Sequence, residues 1–130
     1  MPELRKLNSE ILYKRLLEFA KNSEKLVTSL SRNISNNEYG KQLIRSSGSV
    51  GSNYIEAIEG FSRKEFIHRL KICRKEARES IHWLILIQSS NKEIKITESC
   101  NNLISEGREI IRIFASSIFT AERNKEIQNR

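Results

Sequence analysis

The chain has 130 residues, the length of about one domain, and enough sequence for a core that needs neither disulfides nor metals. One Pro, at position 2, and five Gly leave too few breakers for a sheet-rich or loop-rich fold. With 23 Lys plus Arg against 16 Asp plus Glu the formal charge is +7, which favours polyanionic partners, while the longest apolar run, Trp83-Leu84-Ile85-Leu86-Ile87, is far below the ~20 residues of a membrane span.

No basic-then-apolar leader opens the chain, so a cytoplasmic protein without a membrane segment is expected. Cys73 and Cys100 are too few and too far apart for a disulfide framework or a paired zinc motif. Each falls on an apolar helical position, which predicts a small buried hydrophobe in a reducing compartment and no metal site.

In chain order, Leu12, Leu16, Phe19, Ser23, Leu26 and Leu30 recur at spacings of three and four, predicting a first helix over roughly 9–32. The polar string 31–37, with Ile34 in its middle, predicts a loop. A second helix over roughly 38–60 carries Leu43, Ser47, Val50, Tyr54, Ala57 and Phe61 on one stripe, flanked by Ile44, Gly48, Gly51, Ile55 and Ile58. Gly60 is expected to end it in the left-handed conformation, and Ser62-Arg63-Lys64-Glu65 reads as a capping box that opens the next helix at once.

The third helix, roughly 63–89, has Phe66, Leu70, Cys73, Ala77, Ile81 and Leu84 as its core seam. The fourth, roughly 96–122, carries Ile96, Cys100, Leu103, Gly107, Ile110, Phe114 and Ile118. Four similar lengths with short connections predict a single all-α domain over 1–130, an antiparallel up-down-up-down four-helix bundle.

The third helix divides into three sectors. At about 100° per residue, Lys64, His68, Lys71, Lys75, Arg78 and His82 lie opposite the core seam. Like charges at this spacing cost a few tenths of a kcal/mol per pair unless something anionic sits beside them. Nucleic-acid phosphates would supply that partner, with Lys64, His68, Lys71, Lys75 and Arg78 as contacts. Carboxylates from a neighbouring helix or subunit would supply it equally, and the alternative function is then an oligomeric scaffold for a protein partner.

Ile72, Glu76, Glu79, Trp83 and Ile87 form a second, partly apolar edge. Two readings stand. Either this edge meets another subunit, since an exposed apolar strip is an association liability, or the helix is central and Trp83 caps one end of the core.

The run Ser46-Ser47-Gly48-Ser49-Val50-Gly51-Ser52 costs helix propensity at each Gly by about 0.5–1 kcal/mol relative to Ala. Close helix approach, with Gly48 and Gly51 on one edge, would offset it. A phosphate loop does not fit, because neither the nucleotide-binding spacing nor a preceding strand is present. Asn53 and Glu56 are expected in a half-buried polar cluster near Arg69 that fixes register.

Glu65-x-x-His68 and Glu79-x-x-His82 have the spacing of di-iron carboxylate bundles, but both lie on one helix and face away from its seam. No catalytic residue, cofactor or metal ligand is therefore assigned, and the expected activity is non-enzymatic.

The segments Ser46-Ser47-Gly48-Ser49-Val50-Gly51-Ser52-Asn53-Tyr54-Ile55-Glu56-Ala57, Ser62-Arg63-Lys64-Glu65-Phe66-Ile67-His68-Arg69-Leu70-Lys71-Ile72 and Lys75-Glu76-Ala77-Arg78-Glu79-Ser80-Ile81-His82-Trp83-Leu84 carry a resemblance. Together they resemble the four-helix-bundle proteins encoded in intervening sequences of 23S ribosomal RNA genes, also called the S23 ribosomal protein family. That family is similar to the accessory protein of diversity-generating retroelements.

The resemblance covers the middle third strongly and the outer helices by pattern. It implies a ring-like homopentamer whose basic surface, in the retroelement relatives, contacts nucleic acid and a reverse transcriptase. Ser52 stands where the family commonly has Ala, and Tyr54 where it has Ile or Val.

Overall fold

The computed structural model describes residues 2–128, and among them there are four helices and no strand: α1 (Pro2–Ser29), α2 (Ile34–Ile58), α3 (Arg63–Ser90) and α4 (Ile94–Gln128). No described helix is long and apolar enough to cross a membrane. The helices pack as a bundle with α2 against α3 and α3 against α4 as its major seams, and the α1–α4 seam is the thinnest of the four that form.

The boundaries correct the expectation at several ends. α1 starts at Pro2 instead of near residue 9, a start that Pro tolerates because a first-turn N–H has no intrahelical acceptor. α2 starts four residues early because Asn33 is its cap: the Asn33 side chain accepts from the Asn36 N–H at 2.8 Å. The polar string is thus a short connection over 31–33, as expected, that ends in a cap and is followed by the first helical turn. α4 likewise begins at Ile94 and extends beyond 122.

Gly60 has no positive φ. A Cβ there would lie 3.2 Å from the Ala57 carbonyl oxygen, a tight approach at this turn. Ser62 caps α3 as expected, its Oγ accepting from the Glu65 N–H at 3.1 Å. The Glu65 carboxylate reaches back to the Phe61 N–H at 3.4 Å.

The core is built from the predicted seams: Leu16, Phe19 and Leu26; Leu43, Val50 and Tyr54; Leu70, Cys73 and Leu84; Cys100, Ile110 and Phe114. Fully burying one such large apolar side chain contributes about 1.5–3 kcal/mol. Phe61 departs from its expected stripe and is 100% exposed, because α2 ends before it.

Contacts across α2 and α3 run in a regular order: Ser46 meets Ser80, Val50 meets Cys73 and Asn53 meets Arg69. Residue numbers rise along α2 as they fall along α3. The Ser80 hydroxyl lies 2.9 Å from Ser46 Oγ and 2.9 Å from the Glu76 carbonyl, all within a buried seam. These small hydroxyl side chains let the two backbones approach, which accounts for part of the small-residue run.

The glycines of that run behave differently from expectation. Gly51 meets Leu16 and Tyr13 at an ordinary 3.8 Å, and nothing lies within 4 Å of a Cβ on exposed Gly48. Close approach occurs instead at Gly40, where a Cβ would lie 2.7 Å from Val27 Cγ1, and at Gly107, where it would lie 2.9 Å from Ile81 Cγ1.

At one end of the bundle a buried amide pair ties the start of α2 to the end of α3. Asn36 Nδ2 donates to Asn91 Oδ1 at 3.1 Å and Asn91 Nδ2 returns the bond to Asn36 Oδ1 at 2.8 Å. Asn36 also donates to the Ser31 carbonyl and Asn91 to the Ile87 carbonyl, each at 2.8 Å. Asn91→Ala is expected to cost about 1–3 kcal/mol, because Asn36 stays buried without its partner. Thermal melts of Asn91→Ala, Asn36→Ala and the double variant check this, with the double costing less than the two singles together.

Candidate nucleic-acid interface

The basic stripe of α3 is solvent-facing along its length: Lys64, His68, Lys71, Lys75, Arg78 and His82 are all exposed. From Lys64 to His82 the helix rises about 27 Å at about 1.5 Å per residue. Among the described residues only Lys71 of this set forms an ion pair, with Glu122 of α4 at 2.9 Å. Both side chains are about half exposed, so the pair contributes at most about 1 kcal/mol. The carboxylates that would neutralise the stripe from a neighbouring helix are therefore present at one position.

Gly107 receives Ile81 at the α3–α4 seam, and the next residue, Arg108, is exposed. Arg112, one turn further, is also exposed and is paired with Glu109. Arg108 was not foreseen, because α4 has no continuous run of cations to mark it.

The second edge of α3 is a correction. Ile87 is 0% exposed and Glu76 8%, both inside the protomer. Ile72 is half-buried, and Trp83 packs against the core with its ring centroid 6.1 Å from that of Tyr39 on α2. The His82 ring meets Trp83 edge-on at 4.9 Å. Glu76 and Glu79 share Arg45 of α2, at 3.3 Å and 2.7 Å. The close α2–α3 approach buries this sector within one chain, so it does not form the exposed strip expected at a subunit boundary. Arg45 was invisible as a partner, since nothing local links it to residues 31 and 34 positions away.

The two carboxylates titrate in opposite senses. The Arg45 hydrogen bond holds Glu79 below its ordinary range, whereas burial raises Glu76 despite the same guanidinium. A lowered carboxylate contributes stability that is complete above its unfolded pKa and lost as pH falls through the folded one. Glu79→Gln is therefore expected to flatten the loss of melting temperature between about pH 5 and about pH 3. Glu76→Gln should act in the opposite direction, since its ionisation in the folded state opposes stability. Melts across that range for both variants measure the signs.

Over residues 8–116 the chain matches the family model of the 23S rRNA-intervening sequence protein. The chain belongs to this family. It is similar to a crystallised protein of unknown function from the S23 ribosomal protein family of Bacteroides thetaiotaomicron, at 30% identity and a TM-score of 0.72. That similarity covers 85% of this chain and 96% of the other. No curated protein matches.

In this member of the 23S rRNA-intervening sequence family, the segments that carry the resemblance are the two sides of the α2–α3 seam. Within it Asn53 Oδ1 accepts from Arg69 Nη1 at 3.2 Å, while Asn53 Nδ2 donates to the Ser49 carbonyl at 2.9 Å. The expected Asn53–Arg69 contact is present. Glu56 is not part of it: it points to solvent and makes no hydrogen bond among the described residues.

His68 and His82 lie exposed on the stripe, and Glu65 is engaged at the turn. Among the described residues no group of three or more His, Cys, Asp or Glu could hold a metal ion. Cys73 and Cys100 are both 0% exposed, and burial pushes their thiols up to about 12 and about 11. They are inert packing groups under native conditions.

A groove of about 710 Å³ opens between the α1 C-terminal half and the start of α4, lined by Phe19, Asn22, Lys25, Leu26, Ile96 and Ser99, among others. Near it Arg15 grips Glu106 through two bonds of 2.8 Å and 2.7 Å, which raises the Arg15 pKa. The groove follows the loose α1–α4 contact.

Proposed function

We propose that this protein is a non-enzymatic, oligomeric binder of nucleic acid, RNA foremost, whose contact surface is the α3 stripe. The protomer is an antiparallel up-down-up-down bundle acting in the cytoplasm. The observation that carries the reading is that Lys64, His68, Lys75 and Arg78 all face solvent with no ion pair among the described residues. Each would offset the stripe's self-repulsion by meeting a phosphate. The family description supplies the choice of probe, fragments of 23S ribosomal RNA.

Fluorescence-anisotropy titration tests it. The three unpaired cations per protomer, Lys64, Lys75 and Arg78, predict a slope of log K on log salt of about −2 to −3. Absence of binding at about 50 mM salt, where phosphate contacts are strong, would sink the reading.

A second reading, an oligomeric scaffold for a protein partner, is favoured by a different surface. Ile44, Ile55 and Ile58 on α2 are 44%, 43% and 45% exposed around the open Gly48. This outer α2 face replaces the Trp83 edge as the proposed subunit contact, a pentamer by resemblance. Light scattering on Ile55→Glu, with the RNA titration of the parent protein beside it, separates the two readings: dissociation of a protein that binds no RNA favours the scaffold.

A further inference from the structure

Phe61 sits in the short connection between α2 and α3 with its side chain entirely in solvent. Its position gives an apolar residue a local role, because the residue before a helix cap often packs on the fifth residue after itself as a hydrophobic staple. Here that residue is Phe66, which is instead turned against the core. The staple is not made. Yet the Phe61 backbone is held, its N–H donating to Glu65 Oε2 and the next residue capping α3. A fully exposed aromatic ring is thus mounted on a fixed turn, three residues before Lys64 opens the basic stripe.

A second exposed aromatic lies toward the same end. Phe119 of α4 is 67% exposed and precedes by three residues Glu122, the partner of Lys71. The strongly exposed apolar residues at the starts of α2 and α4, Ile34 at 84% and Ile94 at 74%, are aliphatic and have no π face.

Cations satisfy phosphates whether or not the bases are paired, but the faces of paired bases are hidden in the stack. Only unpaired bases can lie against an aromatic side chain. Resting on the nucleic-acid reading, we propose that Phe61, with Phe119 beside the stripe, is a stacking platform for unpaired bases. The ligand is then a single-stranded segment, a loop, bulge or end, whose backbone runs along Lys64, His68 and Lys75.

The test compares a labelled single-stranded RNA of about twelve nucleotides, within the usual site sizes, with a duplex of the same length. The single strand should bind more tightly. Phe61→Ala should weaken it about tenfold while leaving the duplex unaffected. Phe61→Trp should retain single-strand affinity, and Phe61→Leu, equally exposed but without a π face, should lose it.

Equal binding of both forms with a silent Phe61→Ala overturns this inference and leaves phosphate binding standing. Equal behaviour of the Leu and Trp variants, or a change in light scattering on Phe61→Ala without a change in affinity, overturns it in favour of a protein contact. Failure of both RNAs to bind the unmodified protein at low salt removes the function and the inference together.

Discussion

Reversing Lys64, Lys75 and Arg78 together to Glu is expected to lower affinity for RNA at least about a hundredfold at 0.1 M salt and to make the salt slope shallower by about 2 to 3. Each of these side chains is exposed and lacks an ion pair among the described residues, so its removal should leave the fold intact. The melting temperature is the control. Reversal makes the 71–75 pair attractive but leaves positions 75 and 78 alike in charge and takes from Glu79 the favourable field of Lys75, so stability should hold or fall slightly. Lys71→Glu alone should do less, because Lys71 is already paired with Glu122. If the triple variant binds like the parent protein, the α3 stripe is a solvated face and the function lies elsewhere.

Phe114→Ala is expected to have the largest effect on folding. Phe114 is 0% exposed and meets Tyr54 edge-on, with centroids 5.9 Å apart and planes at 63°. Its truncation removes the burial of a full ring, an aromatic pair and the support of Tyr54, for a loss of about 3–5 kcal/mol. For a chain of this size that lowers the melting temperature by about 10–20 °C. Phe114→Leu, closer in volume, should cost about 1 kcal/mol. Denaturant melts give the difference directly. Below the melting transition both variants should retain the nucleic-acid affinity of the parent, because the basic stripe lies on the opposite side of α3 from the core seam.

Most of the features legible beforehand share a physical origin: they depend on spacing within one helix. Leu70, Cys73, Ala77 and Leu84 at spacings of three, four and seven must share a face, and all four are buried. Lys64, Lys71, Lys75 and Arg78 must share the opposite one, and all four are exposed. Ser62 followed by Glu65 makes a cap whatever the rest of the chain does. Asn33 could have been read the same way, but its partner Asn36 falls inside an all-polar string with no periodic face to announce a helix.

What misled were mostly residues whose role depends on a neighbouring helix, the Asn53–Arg69 contact being an exception. Trp83, Glu76 and Ile87 lie a quarter turn from the stripe, and spacing alone does not say whether another helix or another subunit covers that angle. The answer lies in Ser46 and Ser80, small enough to bring α2 close, and in Arg45, which arrives from the same helix to hold Glu76 and Glu79. Gly48 and Gly51 looked like that close approach and are not, because the glycines that need space are Gly40 and Gly107.

By itself, then, the sequence determined four amphipathic helices, their buried seams and one long cationic face, since a period of 3.6 residues is a local property of the backbone. Only the tertiary structure decided which edges are covered, that Asn36 and Asn91 close one end, and that Phe61 is left in water at the other. Those outcomes depend on the rotation and register of one helix against the next, which are set by side-chain size at contacts dozens of residues apart.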